Sequence, residues 1–213
     1  MHLISLEGWC IAFDSDFIYY IGNSNPKDDT YFKTDLQTTQ KISGGEYLKV
    51  KCGIEKVGLV PFAEYIKFGN GEFLYSLFSD GIIYKYDRLA KRINEYPDIG
   101  SDTIYSITLD KNSKLWIACP TSNYIGQFSL ETQEEIFKIG GYYGDMDVFN
   151  LQEEVRYFDN FIYVSDMGNK RICQIDIHTK EANEYLKFED SVWEYGRFKN
   201  KEIVRLQSGI YVL

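Results

Sequence analysis

The segment Phe161–Ile177 reads FIYVSDMGNKRICQIDI and contains two apolar runs separated by a short polar stretch. Phe161–Val164 is rich in β-branched and aromatic residues, and Ile172–Ile177 alternates between apolar and polar positions. Met167–Lys170 lies between them and contains Gly and Asn, which favour tight turns. A period of two on both sides of a turn predicts a β-hairpin.

Versions of this hairpin recur along the chain. The first run begins after an Asp or Asn turn in five places, and an alternating strand that ends in a polar turn follows the first four copies. Units of this length with several short strands are typical of propeller blades. The first runs start at Phe17, Phe73, Leu115, Phe161 and Ile203, and the alternating strands at Tyr31, Ile83, Ile125 and Ile172.

The repeats predict an all-β fold, a single five-bladed β-propeller domain over residues 1–213 with four antiparallel strands in each blade. Five such units need about 210 residues, so a chain of 213 has no room for a sixth. The predicted blades are residues 9–50, 62–98, 103–140, 153–188, and 191–213 together with 2–6.

Two parts of the chain do not fit the four-strand unit. The fifth unit has only three predicted strands before the sequence ends at Leu213, and His2–Leu6 precedes the first unit without a partner. We expect this N-terminal strand to close the last blade, because the pairing removes an exposed edge. Lys41–Pro61 is the longest gap between repeats and leaves open an extra strand or an extended loop.

Two units resemble known propeller families. Tyr163–Ile172 resembles the NHL-repeat blade, which reads approximately Y-V-A-D-T-G-N-H-R-I. Ile107–Phe128 is similar to blades of the streptogramin lyases and of the gluconolactonase family. The resemblance covers units three and four and implies a propeller. It implies little about chemistry, because propellers carry many unrelated functions.

Composition argues against several classes of function. The formal net charge is -9, which argues against binding to nucleic acid or to an anionic membrane surface. We expect no signal peptide, and no apolar run reaches the ~18 residues that a membrane helix needs. Four well-separated cysteines suit free thiols, so we expect a cytoplasmic protein. They are Cys10, Cys52, Cys119 and Cys173.

The family resemblance does not extend to catalytic residues. It implies a His, a Glu and magnesium in streptogramin lyases, and a divalent metal held by Glu, Asn and Asp in gluconolactonase-type enzymes. Here His2 falls in the predicted closing strand and His178 in a turn, and neither matches the lyase motif. We therefore predict no catalytic residue, metal ligand or cofactor.

Acidic and aromatic residues are concentrated in one set of loops. The loops between blades, and those between the second and third strands of a blade, share one face of a propeller. Aromatic side chains dominate interface energies, so this face is predicted to dock a partner. The predicted anchors are Trp193, Tyr142 and Tyr143, and the predicted steering charges are Asp145, Asp147, Glu154, Glu189, Asp190 and Glu194.

These observations predict a non-catalytic protein that binds a basic protein, as one copy in a heterodimer. The sharpest version is an inhibitor or immunity protein that neutralises a cationic toxin such as a nuclease, because complementary charge speeds encounter. The alternative is a metal-dependent hydrolase or lyase of the gluconolactonase or streptogramin-lyase type, with its site in the central channel.

Overall fold

A computed structural model describes residues 1–6, 8–22, 30–52, 63–67, 73–77, 82–87, 91–97, 99, 103–141 and 148–213. These residues form twenty strands in five antiparallel sheets of four, one nine-residue α-helix and a short 3₁₀ turn at Pro120–Ser122. In this part of the chain, no helix has the length and apolar character needed to cross a bilayer.

The first two sheets follow the chain order of their strands. The first contains β2 (Trp9–Phe13), β3 (Ile18–Ile21), β4 (Tyr31–Thr34) and β5 (Thr39–Ile42). The second contains β6 (Ala63–Lys67), β7 (Phe73–Leu77), β8 (Ile83–Tyr86) and β9 (Arg92–Tyr96).

The next two sheets have the same up-and-down order. The third contains β10 (Ser106–Leu109), β11 (Leu115–Cys119), β12 (Tyr124–Phe128) and β13 (Glu135–Gly140). The fourth contains β14 (Gln152–Phe158), β15 (Phe161–Asp166), β16 (Arg171–Asp176) and β17 (Ala182–Lys187).

The fifth sheet combines the two ends of the sequence. It contains β18 (Val192–Phe198), β19 (Lys201–Leu206) and β20 (Gly209–Val212), and β1 (His2–Ser5) is its outermost strand. β1 is antiparallel to β20, with Leu3 opposite Tyr211. The predicted pairing of the N-terminal strand is therefore present. Gly209 has φ +144°, and its Cα lies so close to the Ser5 carbonyl that a Cβ would clash there.

Turn chemistry explains why the hairpins close where they do. The Asp110 carboxylate accepts hydrogen bonds from the backbone N–H groups of Asn112 (2.8 Å) and Lys114 (3.1 Å). Asp176 does the same for His178 (2.7 Å) and Thr179 (3.0 Å). Each aspartate satisfies backbone donors that the ladder leaves unpaired, and so fixes the turn locally.

The core lies between neighbouring sheets. The first strand of each sheet contacts the first strand of the next, from β6 to β10, β14, β18 and then β2. Trp116, Phe149 and Val155 are buried between the third and fourth sheets, and Ile11 and Ile203 between the fifth and first. Alternate residues of one strand therefore pack against opposite neighbours, which is why the strands are apolar on both faces.

Part of the segment left open by the sequence is a helix. α1 (Gly44–Cys52) follows Ser43, whose hydroxyl accepts a hydrogen bond from the Glu46 N–H (3.1 Å) as an N-cap. The Tyr47 hydroxyl donates to the carbonyl oxygen of Cys10 on β2 (2.6 Å), and α1 also contacts β6. Neither an extra strand nor an extended loop is correct for 44–52, whereas 53–62 lie outside the described residues.

Candidate functional site

The predicted anchors and charges have different positions in the structure. Residues 142–147, which include Tyr142, Tyr143, Asp145 and Asp147, lie outside the described part of the chain. The other five predicted residues, which are Glu154, Glu189, Asp190, Trp193 and Glu194, lie in or beside β14 and β18.

Glu189 and Asp190 lie in the turn between β17 and β18. Glu189 is exposed and is available to attract a cation. The Asp190 carboxylate instead accepts hydrogen bonds from the N–H groups of Ser191 and Ser208, both at 2.8 Å. Partial burial acts in the opposite direction, but these hydrogen bonds lower the pKa of Asp190 below its usual value. Asp190 therefore joins two turns of the fifth sheet and stays ionised.

Glu154 and Glu194 are buried, which corrects their prediction as exposed steering charges. Each is only 9% exposed, because each lies within the first strand of its sheet rather than in a loop. β14 begins at Gln152, one residue before the predicted fourth blade, and a register shift follows at residue 153. A similar shift in β18 lies between Val192 and Glu194. These bulges turn the two carboxylates inward.

The Glu154 carboxylate joins β14 to β18. Arg156 Nε donates to its Oε1 (2.7 Å), and Arg156 Nη2 lies 2.6 Å from the same oxygen. The other oxygen accepts a hydrogen bond from the backbone N–H of Tyr195 (2.9 Å). One carboxylate thus binds its own strand's arginine and the first strand of the next sheet.

Glu194 repeats this arrangement one sheet further on. Its Oε2 accepts a hydrogen bond from the backbone N–H of Ile11 on β2 (2.6 Å). Its Oε1 lies 3.7 Å from Arg205 Nη1 on the neighbouring strand β19. We refer to Glu154, Arg156, Glu194 and Arg205 as the carboxylate clasp.

The third sheet is joined to the fourth by the same kind of hydrogen bond, but through a neutral side chain. The Ser106 hydroxyl accepts a hydrogen bond from the backbone N–H of Val155 (3.2 Å). Ser106, Glu154 and Glu194 therefore have equivalent positions, each bonding to the first strand of the following sheet. A hydroxyl is sufficient for this bond, so the two carboxylates add charge to the clasp beyond what the link needs.

The charges of the clasp are electrostatically coupled. Burial raises the pKa of Glu154 to about 7, and the nearby Glu194 carboxylate acts in the same direction. Arg156 and Lys51, in the last turn of α1, oppose that rise. α1 therefore brings a cation toward the clasp from the first sheet's side.

Trp193 lies at the bulge of β18 and is half-buried. The guanidinium carbon of Arg205 lies 5.1 Å from the centre of its ring, within cation–π range. Within the described residues, no hydrogen-bond acceptor meets its buried indole nitrogen. Since part of the ring is covered by Arg205, Trp193 offers a partner less surface than an exposed anchor.

Sequence reasoning missed a second polar cluster, between the fourth and fifth sheets. The hydroxyls of Tyr185 and Tyr195 both donate to Glu202 Oε1, the latter at 2.7 Å. Arg197 donates to the Tyr163 hydroxyl (2.6 Å). Tyr163 and Tyr195 are stacked with their centroids 5.0 Å apart. The recurrence of Tyr in β15, β17 and β18 was the available signal, and its meaning required the sheet-to-sheet geometry.

Asp166, in the NHL-like segment of the fourth unit, has a structural role. Asp166 is fully buried and accepts hydrogen bonds from the Asn150 N–H (2.8 Å), the Asn169 amide (2.9 Å) and Arg171 Nε (2.8 Å). These bonds fix the segment before β14 to the turn between β15 and β16. The carboxylate is fully engaged within the protein.

The described residues do not fit a metal centre. No group of three or more His, Cys, Asp or Glu side chains in this part of the chain is placed to hold an ion. His2 is on β1 and His178 is in the turn after β16, and both are exposed in different sheets. The residues described here therefore do not match the metal site that the family resemblance implies.

Comparisons with known proteins identify the fold. Neither a protein-family model nor any curated protein matches the sequence. A streptogramin B lyase structure matches 100% of this chain and 70% of its own, with 13% identity and a TM-score of 0.53. Virginiamycin B lyase from Staphylococcus aureus matches 100% of this chain and 72% of its own, also with 13% identity and a TM-score of 0.53.

A WD40 β-propeller domain, that of Doa1, has a TM-score of 0.57 at 11% identity, over 95% of this chain and 61% of its own. Lyases and a WD40 domain share little chemistry, so these likenesses describe architecture and not activity. The resemblance to propeller blades that the third and fourth repeats show is confirmed at the level of the fold. The chain is an all-β protein of the β-propeller type.

Proposed function

We propose that the five sheets are the blades of one closed five-bladed propeller, and that the protein is a non-catalytic binder of a basic protein. Contacts from β6 through β10, β14 and β18 to β2 support the closure, as does the pairing of β1 with β20. The remaining neighbours, β2 and β6, both contact α1. The helix therefore completes the proposed ring.

The observation that carries the binding proposal is the distribution of charge. Three of the four buried carboxylates in the described residues, Glu154, Glu194 and Asp166, have an arginine within 4 Å. These pairs cancel, so the formal excess of -9 resides on the rest of the chain, where Glu189 is an exposed example. An acidic surface of this kind attracts cationic partners over long range.

The more specific proposal is an inhibitor or immunity protein for a basic toxin such as a nuclease, acting as one copy in a heterodimer. A nuclease needs a cationic surface for its polyanionic substrate. An acidic propeller face competes for that same surface, so binding and inhibition coincide. The Tyr142, Tyr143 and Trp193 side chains are the proposed aromatic contacts, with Asp145, Asp147 and Glu189 as steering charges.

The direct test measures binding to a panel of small basic nucleases, with acidic proteins of similar size as a reference. We expect at least one nuclease to bind with Kd below about 1 µM and to lose activity on binding. Because the attraction is electrostatic, affinity should fall by about tenfold or more when salt rises from about 50 to 300 mM. If no nuclease binds more tightly than the acidic reference proteins, the proposal is wrong.

A matched pair of charge-reversal variants locates the binding face. We expect Asp145→Lys/Asp147→Lys/Glu189→Lys to bind at least tenfold more weakly than wild type. The control is Glu131→Lys/Glu134→Lys/Glu181→Lys, which changes net charge equally at exposed positions in the β12–β13 and β16–β17 turns. Equal weakening by both triples would show that net charge alone matters and that the face is not a specific site.

The alternative function is a metal-dependent hydrolase or lyase with a site in the proposed central channel. The likeness to two lyase structures is the observation that favours it. Metal analysis of the purified protein distinguishes the two proposals. A stoichiometric divalent ion, together with a lower melting temperature in chelator, supports the enzyme and contradicts the non-catalytic binder.

A further inference from the structure

We infer that Leu151 is a preformed apolar anchor on the face that docks the basic partner, where it fills an apolar pocket bordered by lysine or arginine. The inference rests on the proposed function and adds to it a contact residue in the described part of the chain. Its basis is an exposed leucine that the fold holds in an unfavourable backbone conformation.

Leu151 is exposed although Phe149 and Gln152, on either side of it, are buried. Its surface is 44% exposed, whereas Phe149 is 1% and Gln152 0% exposed. Phe149 packs in the core between the third and fourth sheets. Gln152 Nε2 donates to the carbonyl oxygens of Cys119 (3.1 Å) and Tyr124 (2.8 Å) in the third sheet. The chain is thus fixed before and after Leu151, while the leucine itself faces solvent.

The backbone of Leu151 is in the left-handed region, with φ +53°. This region is unfavourable for a residue with a bulky side chain. Most other non-glycine residues with positive φ in the described ranges are polar, and Leu36, which is also a leucine, packs against the core. Leu151 neither suits its conformation nor fills the core, and an outlier of this kind points to a function.

Hydrogen bonds from two sheets fix this conformation. The Leu151 N–H donates to Asn123 Oδ1 in the β11–β12 turn (2.9 Å), and the Leu151 carbonyl accepts the Met167 N–H of the β15–β16 turn (3.3 Å). The Gly168 N–H donates to the Asn150 carbonyl (2.8 Å), and a Cβ on Gly168 would clash with Asn150. An anchor that is already held in place loses little conformational freedom on binding.

These contacts place Leu151 beside the turns that form the proposed binding face. That face consists of loops between sheets and of turns between second and third strands, and Leu151 lies where the segment before β14 meets two such turns. The β15–β16 turn is also joined to the exposed Glu189, because Lys170 Nζ donates to the Glu189 carbonyl (3.0 Å). Leu151 and a proposed steering charge therefore border the same turn.

The charge of the surrounding sequence favours a basic partner. Between Lys138 and Arg156 the chain has four acidic residues and no basic one. An apolar side chain flanked by acidic residues complements a pocket that is apolar at its centre and basic at its rim. The occupant that fits Leu151 is therefore the basic protein proposed above, with such a pocket on its cationic surface.

The test measures the affinity of wild type, Leu151→Asn and the control Ile136→Asn for the nuclease that binds in the panel. Ile136 is 49% exposed on β13, the outermost strand of the third sheet, so the control removes a similar apolar surface elsewhere. We expect Leu151→Asn to bind at least about tenfold more weakly, and Ile136→Asn to stay within about twofold of wild type. Salt does not screen apolar burial, so a loss confined to low salt would contradict the inference.

Melting temperatures separate binding from folding. Asn adopts the left-handed conformation more readily than Leu, which offsets the apolar area that the change removes. We expect Leu151→Asn to keep Tm within about 2 °C of wild type. A larger loss of Tm, or unchanged affinity, would overturn the inference and leave the proposed function intact. If no nuclease binds wild type, the proposed function is wrong and the inference is wrong with it.

A second measurement needs no variant. Methyl NMR of leucine-labelled wild type follows Leu151 when the unlabelled nuclease is added, with Leu213, 37% exposed after β20, as the reference. We expect saturation of the nuclease signals to reach the Leu151 methyl groups and not those of Leu213. Transfer that is absent at Leu151, or equal at the two leucines, would overturn the inference.

Discussion

Asp166 and Arg171 face each other across the turn of the β15–β16 hairpin. They are two of the positions at which this segment matches the NHL repeat. The carboxylate is fully buried, whereas the guanidinium is about one-fifth exposed. The sequence predicted the hairpin from its alternation, but it could not show that Asp166 also fixes Asn150. That contact depends on a loop that returns from the preceding sheet.

Replacing Asp166 by Asn should destabilise the protein by about 3 kcal/mol, because Asn150, Asn169 and Arg171 lose a buried charged acceptor. Arg171 keeps the more distant Glu184 carboxylate, at 3.7 Å. Urea unfolding measures the effect through the transition midpoint. The exposed Glu134→Gln is the control and should change stability by less than about 0.5 kcal/mol. A loss below about 1 kcal/mol for Asp166→Asn would show that the pair is not needed to hold the loop.

At the scale of elements, strands were easier to predict than the helix. Leu115 and Phe161, which start two of the predicted runs, also start β11 and β15, because each strand buries its apolar residues against a neighbouring sheet. α1 has no strongly apolar face, and it docks mainly through Tyr47, whose ring packs in a cluster with Ala12 and Tyr19 and whose hydroxyl bonds to β2. Local pattern alone does not predict such docking.

Tyr47→Phe should cost about 1 kcal/mol, because it removes the hydrogen bond from a buried hydroxyl to the Cys10 carbonyl and retains the ring. Tyr211→Phe is the matched control, since its hydroxyl bonds to Ser208 near the surface. Chemical denaturation of both variants gives the comparison. Equal costs for the two changes would contradict a docking role for the Tyr47 hydroxyl.

At the scale of the whole molecule, the repeats allow the fold to be predicted from a single sequence, but they do not reveal the site. The repeat pattern recurs in each unit, and a match over the whole chain at 13% identity shows that the architecture tolerates extensive change. The site differs from unit to unit, since Ser106, Glu154 and Glu194 have equivalent positions but different chemistry. Bulges in β14 and β18 determine which side chains turn inward, and a two-residue period does not reveal a bulge.

Closure by the N-terminal strand is the claim on which the arrangement of all five sheets depends. Native-state hydrogen exchange of the β1 amides that face β20 tests it most directly, with the β19 amides as an internal reference. The account predicts that the β1 amides exchange slowly, with opening free energies close to those of β19. Exchange of the β1 amides at the rate of an unstructured chain, while β19 stays protected, would contradict it.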